Sequence, residues 1–203
     1  MSLRLRAGLA ALALALAAAP VKAQITFEGL VHTAAVPNGY AGLSWSNMFS
    51  AAPILNGIPS SGYITVATAT ASDFVAFNAN GTPAEITSAS PFNFTSAIVA
   101  AAWNNGLTLR LSAFDASNVL VGNASYTLNV FTAQTIMPNF VGIYRLRFET
   151  SGGTNPGLSG SGTQFAIDNI NASTQVVPEP GTVALFATGL VGLVAARRRA
   201  ARA

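Results

Sequence analysis

The chain has 203 residues, of which 51% are hydrophobic and only 8% charged, with a formal net charge of +3, one histidine and no cysteine. Seven of its ten basic residues lie near the termini, as Arg4, Arg6, Lys22, Arg197, Arg198, Arg199 and Arg202, so the stretch from Gln24 to Val177 holds three arginines against six acids, a net −3. That balance excludes the clustered cations nucleic acid binding requires, and the missing cysteines exclude disulfide staples and thiolate metal sites.

Residues 1–23 open with Arg4 and Arg6, continue through an apolar stretch from Ala7 to Ala19, and end on Pro20, Val21, Lys22 and Ala23. This is the layout of a secretory signal peptide, with small residues at Val21 and Ala23 for signal peptidase and a mature terminus at Gln24. The apolar stretch is short of the ~20 residues that an uncleaved membrane anchor needs.

From there the sequence reads as short β-prone segments punctuated by Gly, Pro, Asn and Ser, the pattern of an all-β sandwich over residues 24–173. Strands are predicted at Ile25 to Gly29, Tyr40 to Ser46, Gly62 to Thr70, Asp73 to Asn78, Ser96 to Trp103, Leu107 to Asp115, Val119 to Val130, Val141 to Thr150 and Gln164 to Ile170. Leu107, Leu109, Leu111 and Ala113 alternate with Thr108, Arg110 and Ser112, and Tyr144, Leu146 and Phe148 alternate with Arg145 and Arg147. Each alternation predicts one buried and one wet sheet face. Asn38-Gly39, Asn80-Gly81 and Asn105-Gly106 are turn signals, and the Gly-rich stretch from Ser151 to Gly162 reads as a flexible loop. Nine strands in about 150 residues predict an antiparallel two-sheet jelly roll.

Residues 174–203 form a linker and tail in three parts: Pro178-Glu179-Pro180-Gly181, an apolar run from Thr182 to Ala196, and a basic end carrying Arg197, Arg198, Arg199 and Arg202. The arginines resist translocation and hold the tail's end in the cytoplasm, with the body outside the inner membrane. The run has 15 residues, so it predicts a thin or transient transmembrane helix. Read from these residues alone, the layout also suits a plain membrane anchor behind a Pro-rich linker. In the order of its triplet, apolar run and arginines, however, the tail resembles a PEP-CTERM sorting signal. That resemblance implies processing by an exosortase in a Gram-negative bacterium and delivery to the cell surface or an exopolysaccharide matrix. The body is similar, more loosely, to jelly-roll modules of secreted proteins, through Phe27-Glu28, Asn38-Gly39-Tyr40, Trp103 to Gly106 and Phe165 to Asn169.

Catalytic machinery is scarce. His32 is the sole histidine, no G-x-S-x-G elbow is present, and no spacing shows that Asp73, Glu85, Asp115 and Glu149 converge as a glycosidase pair would. No catalytic residue is assigned and no cofactor is required. Glu28 and Asp168 fall on the first and last strands, which neighbour each other in a jelly roll, so the two can share a structural calcium with backbone carbonyls and Asn169, although Gly29 leaves the donor set lean. Tyr40, Trp45, Tyr63 and Trp103, with Asn104 as an amide partner, are the candidates for carbohydrate contact. The expected function is an exported, non-enzymatic surface or matrix protein that binds polysaccharide or other surface components. A secreted glycan hydrolase and a purely structural biofilm subunit are the alternatives.

Overall fold

The computed structural model describes residues 24–57 and 60–174, together with residues 197, 200 and 201. The expected signal segment, the motif at 178–181 and the apolar run at 182–196 lie outside the described residues, as do Arg198, Arg199 and Arg202. Among the described residues no helix is long and apolar enough to cross a membrane.

The body is antiparallel β-structure built from β1 (Ala34–Ala35), β2 (Ser44–Ser46), β3 (Met48–Ala51), β4 (Val75–Asn78), β5 (Ala84–Ala101), β6 (Asn105–Phe114), β7 (Leu120–Leu128), β8 (Gln134–Ile136), β9 (Phe140–Thr154) and β10 (Phe165–Thr174). Hydrogen bonding follows the order β1-β3-β4-β10-β5-β9-β6-β7, with β2 and β8 also on β5. One helix, α1 (Gly62–Thr70), joins β3 to β4.

The hinge of the architecture is β5. Its 18 residues would span roughly 55 Å if straight, at about 3.3 Å per residue. Ala84 at one end pairs with Phe148, and Ala101 at the other pairs with Phe165, yet the rings of Phe148 and Phe165 stack with centroids 5.5 Å apart. The strand therefore folds over and belongs to two facing sheets. Its first part lies between β2 and β9 in a sheet completed by β6 and β7, and its last part lies between β10 and β8 in a sheet completed by β4, β3 and β1. The ladder to β9 breaks between Thr87 and Phe92, around Pro91, which has no N–H to donate. This is the predicted two-sheet sandwich, with one long strand shared between the sheets.

Side chains that alternate inward fill the space between them. Leu107, Leu109, Leu111, Ala113, Leu146 and Phe148 from one sheet meet Val99, Phe165, Ile167 and Met48 from the other, all essentially without solvent exposure. Phe94 packs edge-on against Phe148 at 6.0 Å, where the sheets converge.

Several predicted segments are corrected. Gly62 to Thr70 is a helix rather than a strand, despite its four Thr and Val residues. Tertiary packing overrides that local preference: Tyr63, Val66 and Ala67, at helical spacing, lie on Ala100, Ala102 and Ala166 of the outer sheet face, whose small side chains admit a helix closely. Gly62 is what permits the approach, since a Cβ there would sit 1.8 Å from the Ala101 carbonyl oxygen. Ile25 to Gly29 is not a strand and makes only the single bridge of Ile25 to Ile170, β3, β8 and the first half of β5 occur where no strand is predicted, and Asn105-Gly106 opens β6 instead of forming a free turn. Asn80 and Gly81, at φ 55° and 69°, do form the expected reversal. The Gly-rich stretch is no free loop: Ser151 to Thr154 belong to the end of β9, and the rest is tied internally, with the Asn155 side chain accepting from the N–H groups of Gly157 and Leu158 and donating to the carbonyls of Leu158 and Gly160.

Candidate functional site

The first residues of the body run beside the last strand. Ile25 forms a two-way backbone bridge with Ile170, and the Gln24 side chain donates to the Asn169 carbonyl. Phe27 is fully buried, which turns the next side chain, Glu28, outward toward the end of α1. There one Glu28 carboxylate oxygen accepts from the Ser72 hydroxyl, from the Asp73 N–H at 2.9 Å and from the Phe74 N–H at 3.2 Å. The turn that supplies these donors follows Ala71, which closes α1 in the left-handed conformation at φ 54°.

Asp168 approaches from β10. Phe165 and Ile167 point into the sandwich core and Ala166 points to the helix, so Asp168 by strand alternation also faces the helix side. Its exposure is 0%, and neither carboxyl oxygen has a hydrogen-bond partner among the described residues. Burial pushes its pKa above the ordinary carboxylate value. The nearby Glu28 charge adds to the rise, while the Asn169 amide and the Thr70 and Ser72 hydroxyls, close but short of full hydrogen bonds, oppose it. The Tyr40 phenol also lies within reach of this field: partial burial, then Asp168 and Glu28, raise its pKa.

Two acids therefore meet at the carboxyl end of a helix, an end that itself carries partial negative charge. The only basic residues of the stretch 24–174 are Arg110, Arg145 and Arg147, on β6 and β9 of the opposite sheet. A buried carboxylate left without a cation is expensive, and either a proton or a metal ion would relieve that cost. All its donors are oxygens, which suits a hard cation such as calcium over zinc. Among the described residues no group of three or more His, Cys, Asp or Glu side chains could hold a metal, so carbonyls, hydroxyls and water would have to complete the shell around Asp168 and Glu28.

The other expected site residues are placed differently. Trp45 and Tyr63 are each 6% exposed, so neither ring offers a face to a sugar. Trp45 packs edge-on against Phe27 and donates its indole N–H to the Tyr40 carbonyl at 2.9 Å, while Tyr40 is half-buried, stacked on Phe27, with its hydroxyl donating to the Thr26 carbonyl. Tyr63 sits edge-on to both Phe77 and Trp103 at 5.3 and 5.5 Å. Trp103 is half-buried beneath the Gly-rich loop, where a Cβ on Gly160 would fall 2.4 Å from its ring. Asn104 makes a long 3.5 Å contact to the Gly152 carbonyl. These aromatics belong to two separate packing clusters and assemble no common platform.

The remaining polar candidates have structural partners. His32 accepts the Ala52 N–H at 2.9 Å, and Asp115 closes the β6–β7 turn by accepting from Ser117 and Val119. Glu85 and Glu149 are bridged to Arg145 and Arg147. Asp73 stands by Glu28, so the four acids weighed as glycosidase residues are spread over three places.

Comparison with known proteins identifies the tail. Residues 176–199 match the PEP-CTERM protein-sorting motif. The motif implies export through the membrane, surface sorting and exosortase processing. No curated protein sequence matches the chain. Among solved structures, similarity is found to a DUF4465 family protein from Bacteroides caccae, at 14% identity over 75% of this chain and 99% of that one, with a TM-score of 0.49. A structure of TmCBM61 with β-1,4-galactotriose is similar at 9% identity over 72% and 100% of the two chains, TM-score 0.38. A CBM4 structure is similar at 13% identity over 63% and 86%, TM-score 0.30.

Proposed function

We propose that the protein is a surface-displayed, non-catalytic β-sandwich that engages polysaccharide of the cell envelope or matrix, with calcium joining the segment that carries Glu28 to the last strand, β10. The sorting motif directly after the sandwich carries the display part of this reading, since such a tail serves to place the body outside the cell. Asp168, buried with two unpartnered oxygens beside Glu28, supports the calcium part. When bound, the ion supplies the positive charge that the two carboxylates lack. Glu28 would be held in position for it by Ser72 and the Asp73 and Phe74 amides, and Asp168 would be held by β10.

Export from a Gram-negative host with an exosortase, followed by protease shaving of whole cells, tests the display. The wild-type chain is expected at the surface, and a chain with Pro178, Glu179 and Pro180 replaced by alanine is expected to stay unprocessed. Equal surface exposure of both would contradict the reading. Incubation of the full chain with envelope polysaccharide is expected to give binding with no new reducing ends. Release of reducing ends would favour the hydrolase alternative, and assembly without any glycan would favour the purely structural one.

A further inference from the structure

The sheet formed by β2, the first part of β5, β9, β6 and β7 turns one face to the core and the other outward, and every arginine of the body stands on the outward face. Strand pairing sets side chains there in rows. One row runs Ser46, Glu85, Arg147, Ser112, Asn123 across all five strands. In the next row Arg145 lies 3.7 Å above the centre of the Phe114 ring, and on the other side Arg110 pairs with Glu149 in register.

The charges are distributed unevenly. This face holds three arginines and two glutamates, a net +1, while the rest of residues 24–174 holds Glu28, Asp73, Asp115 and Asp168, a net −4. Nor are the arginines used up by their glutamates. Arg147 is shared between Glu85 at 3.3 Å and Glu149 at 3.0 Å, and exposed Arg110 makes no ion pair among the described residues. The Phe114 ring is capped by a guanidinium, and around it the face offers hydroxyls, amides and guanidinium donors. Guanidinium groups match carboxylates in planar, two-pronged geometry, whereas a neutral glycan would leave their charge unanswered.

From this we infer that the arginine-bearing sheet face binds an acidic polysaccharide, one whose sugars carry carboxylates. The inference rests on the polysaccharide reading above and names the ligand's class and place. Carboxylates along the glycan accept from exposed Arg110 and from the part-exposed guanidinium of Arg147, and Ser and Asn side chains of the same rows meet the sugar hydroxyls. The attraction is surface electrostatics and weakens as salt rises.

Affinity electrophoresis of the full chain in detergent, through gels containing hyaluronan, polygalacturonate or neutral dextran with a chelator present, tests it. Retardation is expected in the two acidic polymers only, fading with added salt. Arg110→Gln and Arg147→Gln are each expected to weaken it at least about fivefold, with circular dichroism confirming that both variants stay folded. Retardation by dextran as well, unaffected by either substitution, would overturn the arginine face while leaving the polysaccharide reading intact. No retardation in any of the three would overturn both.

Discussion

The molecule keeps its charge in two places that solve opposite problems. On the outward face of the β5-β9-β6 sheet, acids and arginines stand in register and at least partly exposed, so each glutamate has a cation within 3.3 Å. At the helix end of the other sheet, Asp168 is buried against Glu28 with no cation among the described residues. The contrast teaches how to read charge in a sandwich: compensated, solvated pairs contribute little to stability and leave a surface free to meet ligands, whereas an uncompensated buried carboxylate points to a missing counter-charge.

The largest effect is expected at the buried site. If calcium supplies the counter-charge, a hundredfold excess over its Kd stabilises the fold by about 2.7 kcal/mol, roughly 5–10 °C in Tm for a domain of this size. Asp168→Asn should abolish that gain, and in chelator it should melt no lower than wild type because it removes a buried charge. A variant that still gained from calcium would break the contrast between the two sites.

Next in size comes the helix that carries Thr70 and leads to Ser72. Gly62→Ala places a methyl against the Ala101 carbonyl and should cost about 1–3 kcal/mol by overpacking, read by urea denaturation. The same change should weaken the calcium response, because the turn holding Glu28 is displaced.

The pH dependence has a definite sign. The raised pKa of Asp168 means that the metal-free native state binds its proton more tightly than the unfolded chain does. Its contribution is fully present below the ordinary carboxylate range and is lost as pH rises through the raised value. Calcium holds the group ionised, so its stabilising effect should grow over that same interval. Melting curves across mildly acidic pH, with and without calcium, should therefore diverge as pH increases. Parallel curves would remove the site's distinction from the arginine face.

The smallest effect belongs to that face. Arg147→Gln disrupts two part-exposed ion pairs and should change stability by no more than about 1 kcal/mol, measured by thermal melting. A loss of several kcal/mol would show that these pairs hold the sheet together and are not merely available to solvent.

The sequence made some of this legible and hid the rest for identifiable reasons. The period-two run from Leu107 to Ala113 announced its buried face, and every inward residue there is fully buried. Ile25 and β10 lie side by side as a jelly roll leads one to expect, but through a single bridge, with Glu28 in a turn beyond it and not on a strand. Gly62 to Thr70 misled because its β-branched residues favour a strand locally, and only the alanine-lined sheet outside it makes a helix the better packing. Pro91 and its small polar neighbours disguised the middle of β5, where the chain bends between sheets. Residue type alone suits Trp45 and Tyr63 to stacking on sugars, but both fill the interior. The gathering of all three body arginines on one face depends on strand order, β6 beside β9, which no local pattern encodes.

Calorimetric titration of calcium into the chelator-stripped full chain most directly tests whether Asp168 awaits a cation. One binding event per chain, lost in Asp168→Asn, is the predicted result. Absence of binding to the wild type, or unchanged binding to the variant, would contradict it.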